Sequence, residues 1–96
     1  MSNPSKVSIA EAPPAEDRVT VYDRDHLKLY MRLLDAESDG ASLVEVSAIL
    51  FGIDADAEPA RAKAVHESHL GRARWMTEHG YRDLLRRGLP EDAPAR

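Results

Sequence analysis

Two histidines three residues apart are the nearest that this sequence comes to a catalytic or metal-binding motif. His66 and His69 flank Glu67, an order close to the zinc-protease motif, in which a glutamate lies between two histidines on one helix face. That motif needs four residues from the first histidine to the second, whereas the interval here is three. Both imidazoles also fall on the apolar side of a predicted helix, which favours partly buried, hydrogen-bonded histidines over zinc ligands. We therefore predict no metal site and no cofactor.

Other catalytic chemistry has even less support in the sequence. The chain of 96 residues contains no cysteine, which excludes thiol catalysis, thiolate metal sites and disulfides. No nucleophile is followed by an adjacent base, there is no phosphate-binding loop, and a chain of this size has little room for a deep pocket. We predict that the protein is not an enzyme.

A cluster of carboxylates separates two predicted helices. Asp54, Asp56 and Glu58 lie just before Pro59, where negative charge favours the positive end of the helix that follows, so N-terminal capping is one interpretation. Because three carboxylates exceed what capping requires, the other interpretation is a protein-binding surface. Residues 23–58 carry nine acidic and three basic side chains, whereas residues 59–88 carry three acidic and seven basic ones. The carboxylates of the turn would repel the phosphates of DNA, and we predict that the chain does not bind DNA.

The long helix after the turn carries the candidate binding side chains. Trp75 is predicted either to cover a neighbouring element of the core or to act with Arg72 as an aromatic and cationic anchor for a partner protein, since both residue types are common in interface hot spots. The alternative is a helix that enters the major groove of DNA. Its candidate DNA-binding residues are Arg61, Lys63, Arg72 and Arg74.

Apolar spacing predicts the helices that position these residues. A first helix runs from His26 to the Asp39–Gly40 region, with apolar residues on one broad face. A second helix starts at Ser42, which forms a capping box with Glu45, and ends at Gly52 with Ile53 as its hydrophobic clasp.

The second half of the chain is predicted to add two more helices. The long helix begins at Pro59 and ends at Gly80, and a short last helix covers Tyr81 to Arg87. Residues 19–22 (VTVY) favour an extended segment without a strand partner. The fold class is therefore all-α: a small domain of about four helices that contains a helix-turn-helix variant with an extended acidic turn, preceded by a short extended N-terminal arm.

Composition sets the predicted limits of this domain. Residues 1–18 are polar and contain three prolines, which is typical of a disordered tail. Residues 19–88 form the helix-turn-helix-like domain, and residues 89–96 form a second disordered tail. The sequence contains no apolar run that could span a bilayer and no apolar region of a signal peptide, so we expect a cytoplasmic protein with no membrane partner.

Most of the predicted domain resembles a known family. The segments DRDHLKLYMRLLDAESDGASLVEVSAILFG and SHLGRARWMTEHGYRDLLRRG are similar to a proteobacterial domain family, formerly of unknown function, found in regulators of integrative and conjugative elements. The resemblance covers about residues 19–88. It implies a helix-turn-helix variant that, in activators, is joined to a second domain and presents a basic surface to DNA. Stand-alone members with an acidic surface look like antiactivators of the QseM type.

The resemblance and the acidic turn together give a functional hypothesis. The chain is interpreted as a transcriptional antiactivator that binds an activator of the FseA type or the LuxR-like TraR type and thereby inhibits quorum-sensing-linked conjugative transfer. As a small domain it is expected to be a monomer or a weak dimer. The alternative is a DNA-binding helix-turn-helix repressor or an excisionase-like regulator.

Overall fold

Residues 9–90 are described in the computed structural model, and helices are their only regular secondary structure. The helices are α1 (Val21–Asp25), α2 (Leu27–Ser38), α3 (Leu43–Val46), α4 (Pro59–Trp75) and α5 (Tyr81–Arg87). One π-helical turn extends α3 over Ser47–Phe51, and another joins α4 to α5 over Met76–Gly80. The all-α prediction is confirmed. The outer parts of the two predicted tails, residues 1–8 and 91–96, lie outside the described residues, and the domain limits stay a prediction.

The N-terminal arm is shorter than the sequence suggested. Val19 and Thr20 are not helical, but Val21 and Tyr22 form the start of α1, so the prediction that residues 19–22 are extended is wrong in its second half. Thr20 forms a capping box with Asp23, because the Asp23 amide donates to the Thr20 hydroxyl at 3.3 Å and the Thr20 amide donates to the Asp23 carboxylate at 2.9 Å. These bonds satisfy free amides of a helix start and outweigh the β preference of the two valines.

The second helix begins and ends where predicted. Ser42 and Glu45 form the capping box at its start, and Gly52 ends it in the left-handed conformation with φ of 66°. Ile53 is buried, and its amide donates to the Ser47 carbonyl at 2.9 Å. A residue without Cβ is favoured at this φ, and the bond from Ile53 closes the helix end.

The prediction that the long helix ends at Gly80 is wrong. Gly80 has a right-handed φ of −60°, and the chain passes through the π-helical turn directly into α5. A Cβ at Gly80 would lie 2.7 Å from the sulfur of Met76 and 3.1 Å from the ring of Trp75. Glycine leaves room here for the side chains of Met76 and Trp75 and does not end the helix.

The core lies where α4 packs against the elements that precede it. Its buried apolar side chains fall into three clusters, and each cluster contains side chains of α4 or of the turn that follows it. The clusters are Val19, Tyr30, Ala73 and Met76; Ile53, Ala55, Ala62 and Val65; and Leu33, Val46 and Leu70. Burial of the inner side of α4 fixes which of its residues face solvent.

Candidate nucleic-acid interface

The outer side of α4 is a solvent-exposed stripe of small and charged residues, which we call the α4 outer face. It consists of Ala60, Lys63, Ala64, Glu67, Gly71 and Arg74. The i, i+3, i+4 spacing places these residues along one side of the helix.

Cations lie along and beside the α4 outer face. Arg74 forms an ion pair with Glu37 of α2. Lys63 makes no hydrogen bond or ion pair to another residue of the described chain. Arg61 lies beside the face, with its Nη2 at 3.0 Å from a Glu11 carboxylate oxygen and its Nη1 at 3.3 Å from Glu58. Hydrogen bonds that Arg61 donates to the Glu11 carboxylate, together with the negative charge of Glu11, raise the pKa of Arg61.

All three carboxylates of the acidic turn are exposed, and one of them, Asp54, has a structural role. The Asp54 carboxylate accepts a hydrogen bond from the Asp56 amide at 2.9 Å and from the Ala57 amide at 3.3 Å, which folds the turn on itself. The Glu58 side chain makes no capping hydrogen bond to the backbone amides of α4. Asp56 and Glu58 are exposed. Capping hydrogen bonds to α4 therefore do not account for this cluster, and Asp54 is explained by turn formation.

Arg72 lies on the inner side of α4 and does not belong to the outer face. It is 7% exposed, and its guanidinium donates to both carboxylate oxygens of Asp23, at 3.0 Å and 2.7 Å. Further bonds run to the Glu16 carbonyl at 2.7 Å and the Arg18 carbonyl at 2.9 Å. Because these partners occupy its donors and solvent does not reach it, we correct its assignment as a protein-binding or DNA-binding residue: Arg72 holds the N-terminal arm and α1 onto α4.

The buried pair changes the pKa of both partners. Burial alone raises the pKa of Asp23, but hydrogen bonds from Arg72, Tyr30 and the Thr20 amide outweigh it, and the net pKa lies below its ordinary value. Burial alone lowers the pKa of Arg72, and the bonds and charge of Asp23 reverse that effect. Both groups are held in their charged forms.

Trp75 is half-buried and contacts the same assembly. Its ring packs on the cluster of Val19, Tyr30, Ala73 and Met76, and the Arg72 guanidinium carbon lies 3.9 Å from the ring centroid. The sequence-based interpretation of Trp75 as a cover for a neighbouring element agrees with this position. The stacked guanidinium is a cation–π contact that supports the buried pair.

His66 and His69 have different surroundings. His69 is fully buried, its Nδ1 lies 2.8 Å from the Val65 carbonyl, and its Nε2 lies 2.6 Å from the Tyr22 hydroxyl. Since a carbonyl only accepts, Nδ1 carries the proton and the Tyr22 hydroxyl donates to Nε2. His66 is half-buried on the same helix. Within residues 9–90 no three histidine, aspartate or glutamate side chains are placed to share a metal ion.

No helix in the described part of the chain combines the length and apolarity needed to cross a membrane.

Sequence comparison connects this geometry to a known family. A family model described as "T6SS, Transcription factor, DNA binding domain" matches residues 5–86, which include α1 to α4 entirely. No curated protein matches the chain. The match contains nothing specific to QseM-type antiactivators, to quorum sensing or to conjugative transfer.

The family match contradicts the prediction that the chain does not bind DNA, because the matched model describes a DNA-binding domain. That prediction summed the charge of residues 23–58, whereas a groove-binding helix meets DNA with one side only. The exposed side of α4 carries Lys63 and Arg74 and only one carboxylate, Glu67. By the extent of the match, the chain belongs to the family of T6SS transcription factor DNA-binding domains.

Proposed function

We propose that this protein is a DNA-binding regulator of transcription and that the α4 outer face enters the major groove. The observation that carries the proposal is the family match over residues 5–86, which spans α3, the turn and α4. A helix that follows a short helix and a turn is the element that reads bases in helix-turn-helix proteins. The width of the major groove admits one α-helix.

The composition of the α4 outer face suits close approach to DNA. Ala60, Ala64 and Gly71 have small side chains or none, so the helix backbone can approach the floor of the groove. Lys63 and Arg74 reach outward and provide positive charge for phosphates. Glu67 lies between them and can accept a hydrogen bond from the amino group of cytosine.

The ion pairs of the arginines are compatible with this role. Arg61 is bonded to Glu11 and Glu58, and Arg74 is bonded to Glu37. All of these carboxylates are at least partly exposed, and exposed ion pairs contribute little to stability. A phosphate can therefore replace a carboxylate as the partner of each guanidinium with a bond of similar kind.

The acidic turn limits where phosphates can approach. Asp56 and Glu58 are exposed next to the start of α4, and the whole chain has a formal net charge of −4. Binding that depends only on charge is weak for such a protein, because counterion release scales with the number of phosphates neutralised. We therefore expect low affinity for random DNA and a dependence on base contacts.

The test begins with selection from a random duplex pool, because the binding sequence is unknown. The enriched duplex is then titrated by fluorescence anisotropy at several salt concentrations with the wild type and the triple variant Arg61→Ala/Lys63→Ala/Arg74→Ala. We expect a loss of affinity of at least about tenfold and a salt slope that falls by between about 2 and 3. The control variant Lys28→Ala/Arg82→Ala/Arg86→Ala removes the same charge from α2 and α5 and is expected to retain most of the affinity.

Two results would contradict the proposal: failure of the pool to yield any enriched sequence, or equal losses in the two triple variants. The first result would return attention to the antiactivator interpretation, in which the acidic turn contacts another regulator. That interpretation rests on the acidic turn and the sequence resemblance and gains nothing from the family match, so we do not adopt it.

A further inference from the structure

An apolar groove lies between α2 and the segment formed by α3 and its π-helical turn. The groove has a volume of about 370 Å³, and its floor includes Val46, Ile49 and Leu50. Ile49 is 75% exposed, although its neighbour Val46 is buried. No residue of the described chain covers this large aliphatic side chain, and an exposed apolar patch of this kind can serve as a binding surface.

The rim of this groove is acidic. Asp35, Asp39 and Glu45 line it, and Arg32 is its only cationic lining residue. The three carboxylates are exposed, and none of them makes an ion pair within the described residues. The groove is thus suited to a helix that combines exposed apolar side chains with positive charge.

The outer side of α5 has this combination. Tyr81 is 62% exposed and Leu85 is 71% exposed, and Leu89, just after the helix, is 55% exposed. Arg82 and Arg86 form a parallel exposed row one residue further on, and neither makes an ion pair to another described residue. The spacing of four residues places the two rows side by side on the helix surface.

We propose that the groove binds the α5 segment of a second copy of this chain. Leu85 and Tyr81 of one copy cover Ile49 and Leu50 of the next, and Arg82 and Arg86 meet the acidic rim. The opposite charges around the two exposed apolar patches favour this pairing. If two grooves met, their carboxylates would repel each other, and if two α5 helices met, their arginines would repel each other.

Such a contact is head-to-tail, because each copy offers two different surfaces. Contacts of this type form rings when the rotation closes and open chains when it does not. Neither surface contains a residue of the α4 outer face, so the inference goes beyond the proposed function, and self-association and DNA binding are separate properties. A seven-residue helix covers little surface, so we expect weak association with a dissociation constant on the order of 100 µM.

The first experiment measures mass without DNA. Sedimentation equilibrium of the wild type from about 10 µM to about 1 mM is expected to show a weight-average mass that rises from the 10.7 kDa of one chain to at least about twice that value. Ile49→Asp blocks the groove and Leu85→Asp blocks α5, and each variant is expected to stay monomeric. Met31→Asp changes a residue of α2 that is 66% exposed and lies outside the groove, so it should associate like the wild type. Circular dichroism confirms that each variant is folded.

The second experiment mixes the two blocked variants. Ile49→Asp keeps a normal α5 and Leu85→Asp keeps a normal groove, so an equimolar mixture contains one intact head-to-tail contact per pair. We expect the mixture to form heterodimers and nothing larger. A wild type that stays monomeric at about 1 mM would overturn the proposal, as would blocked variants that associate like Met31→Asp. A mixture that stays monomeric would also overturn it, because the contact would then not be head-to-tail.

Discussion

Two arginines of α4 that are two residues apart show how differently one residue type can act in this fold. Arg72 is 7% exposed and bonded to a fully buried carboxylate. The Arg74 side chain is 53% exposed and pairs with a carboxylate that is also exposed. Because a rotation of about 200° around the helix axis separates positions i and i+2, one guanidinium faces the core and the other faces solvent. We conclude that Arg72 serves folding and that Arg74 is available for binding.

The inner pair joins four parts of the chain at one point. Arg72 contacts Asp23 of α1, the carbonyls of Glu16 and Arg18 in the segment that precedes α1, and the ring of Trp75. Tyr30 of α2 adds a hydroxyl that donates to Asp23 at 2.7 Å. A buried charge that loses its partner is strongly destabilising, whereas an exposed pair contributes little.

The largest expected effect is on Arg72. Arg72→Ala leaves the Asp23 carboxylate buried with no cationic partner, and we expect the free energy of unfolding to fall by about 3–5 kcal/mol. Urea unfolding followed by circular dichroism measures the loss. Arg74→Ala is the matched control, and its loss should be below about 1 kcal/mol. Equal losses in the two variants would contradict the distinction between the inner and outer sides of α4.

Acid should destabilise the fold in two steps. Burial lowers the pKa of His69, so below the ordinary pKa of about 6.5 the unfolded chain binds a proton that the folded chain excludes. Stability therefore falls as pH drops through that value. The lowered pKa of Asp23 adds a second loss below about pH 4, where the unfolded chain takes up a proton at this carboxyl while the folded chain still resists it.

Urea midpoints between pH 7.5 and pH 3 measure both steps. His79→Gln is a control for the first step, because His79 is exposed, and it should leave the decrease between pH 7 and pH 5 in place. A stability that is constant over that interval would show that His69 is not buried in its neutral form.

Removal of a buried polar group that has no hydrogen-bond partner should increase the free energy of unfolding. Ser47 is fully buried, and within the described chain its hydroxyl oxygen has no hydrogen-bond partner. Ser47→Ala removes an unsatisfied group, and we expect a gain in the free energy of unfolding of about 1 kcal/mol. The same urea experiment measures it, and Ser68→Ala is a comparison because the Ser68 hydroxyl donates to the Val65 carbonyl at 3.1 Å. A loss of stability in Ser47→Ala would indicate that its hydroxyl has a partner.

The smallest effect on stability is expected for the exposed pair of the outer face. Glu37→Gln removes the charge that pairs with Arg74, and the free energy of unfolding should change by less than about 0.5 kcal/mol. DNA binding should respond more than folding does, because an unpaired Arg74 no longer has to exchange a carboxylate for a phosphate. Anisotropy titration should show an affinity equal to or above that of the wild type. Weaker binding would indicate that Glu37 positions Arg74 for DNA.

Local signals were sufficient to predict much of this fold. The Ser42–Glu45 box and the Gly52–Ile53 pair marked the limits of the second helix, because capping involves residues close in sequence. The Thr20–Asp23 box is also a local signal, and it was missed because the flanking valines favoured an extended segment.

The errors arose where distant residues decide the outcome. The Asp23–Arg72 pair joins positions 49 residues apart, and nothing in their sequence spacing indicates that they meet. Gly80 resembled a helix end because its role depends on the approach of Met76 and Trp75, which only packing reveals. The sum of charges over residues 23–58 suggested that DNA would be repelled. This was an error, because a sum does not show which carboxylates lie beside the exposed side of α4.

The most direct test of the central claim is a map of the residues that contact DNA. Amide chemical shifts of the ¹⁵N-labelled protein are followed during titration with the enriched duplex, at about 10 µM protein, where the proposed self-association is minor. We predict that the shift changes concentrate on Lys63, Glu67 and Arg74, with little change at Tyr81 and Leu85 of α5. Changes that concentrate on α5 or α2, with α4 unaffected, would contradict the assignment of the α4 outer face as the DNA-binding surface.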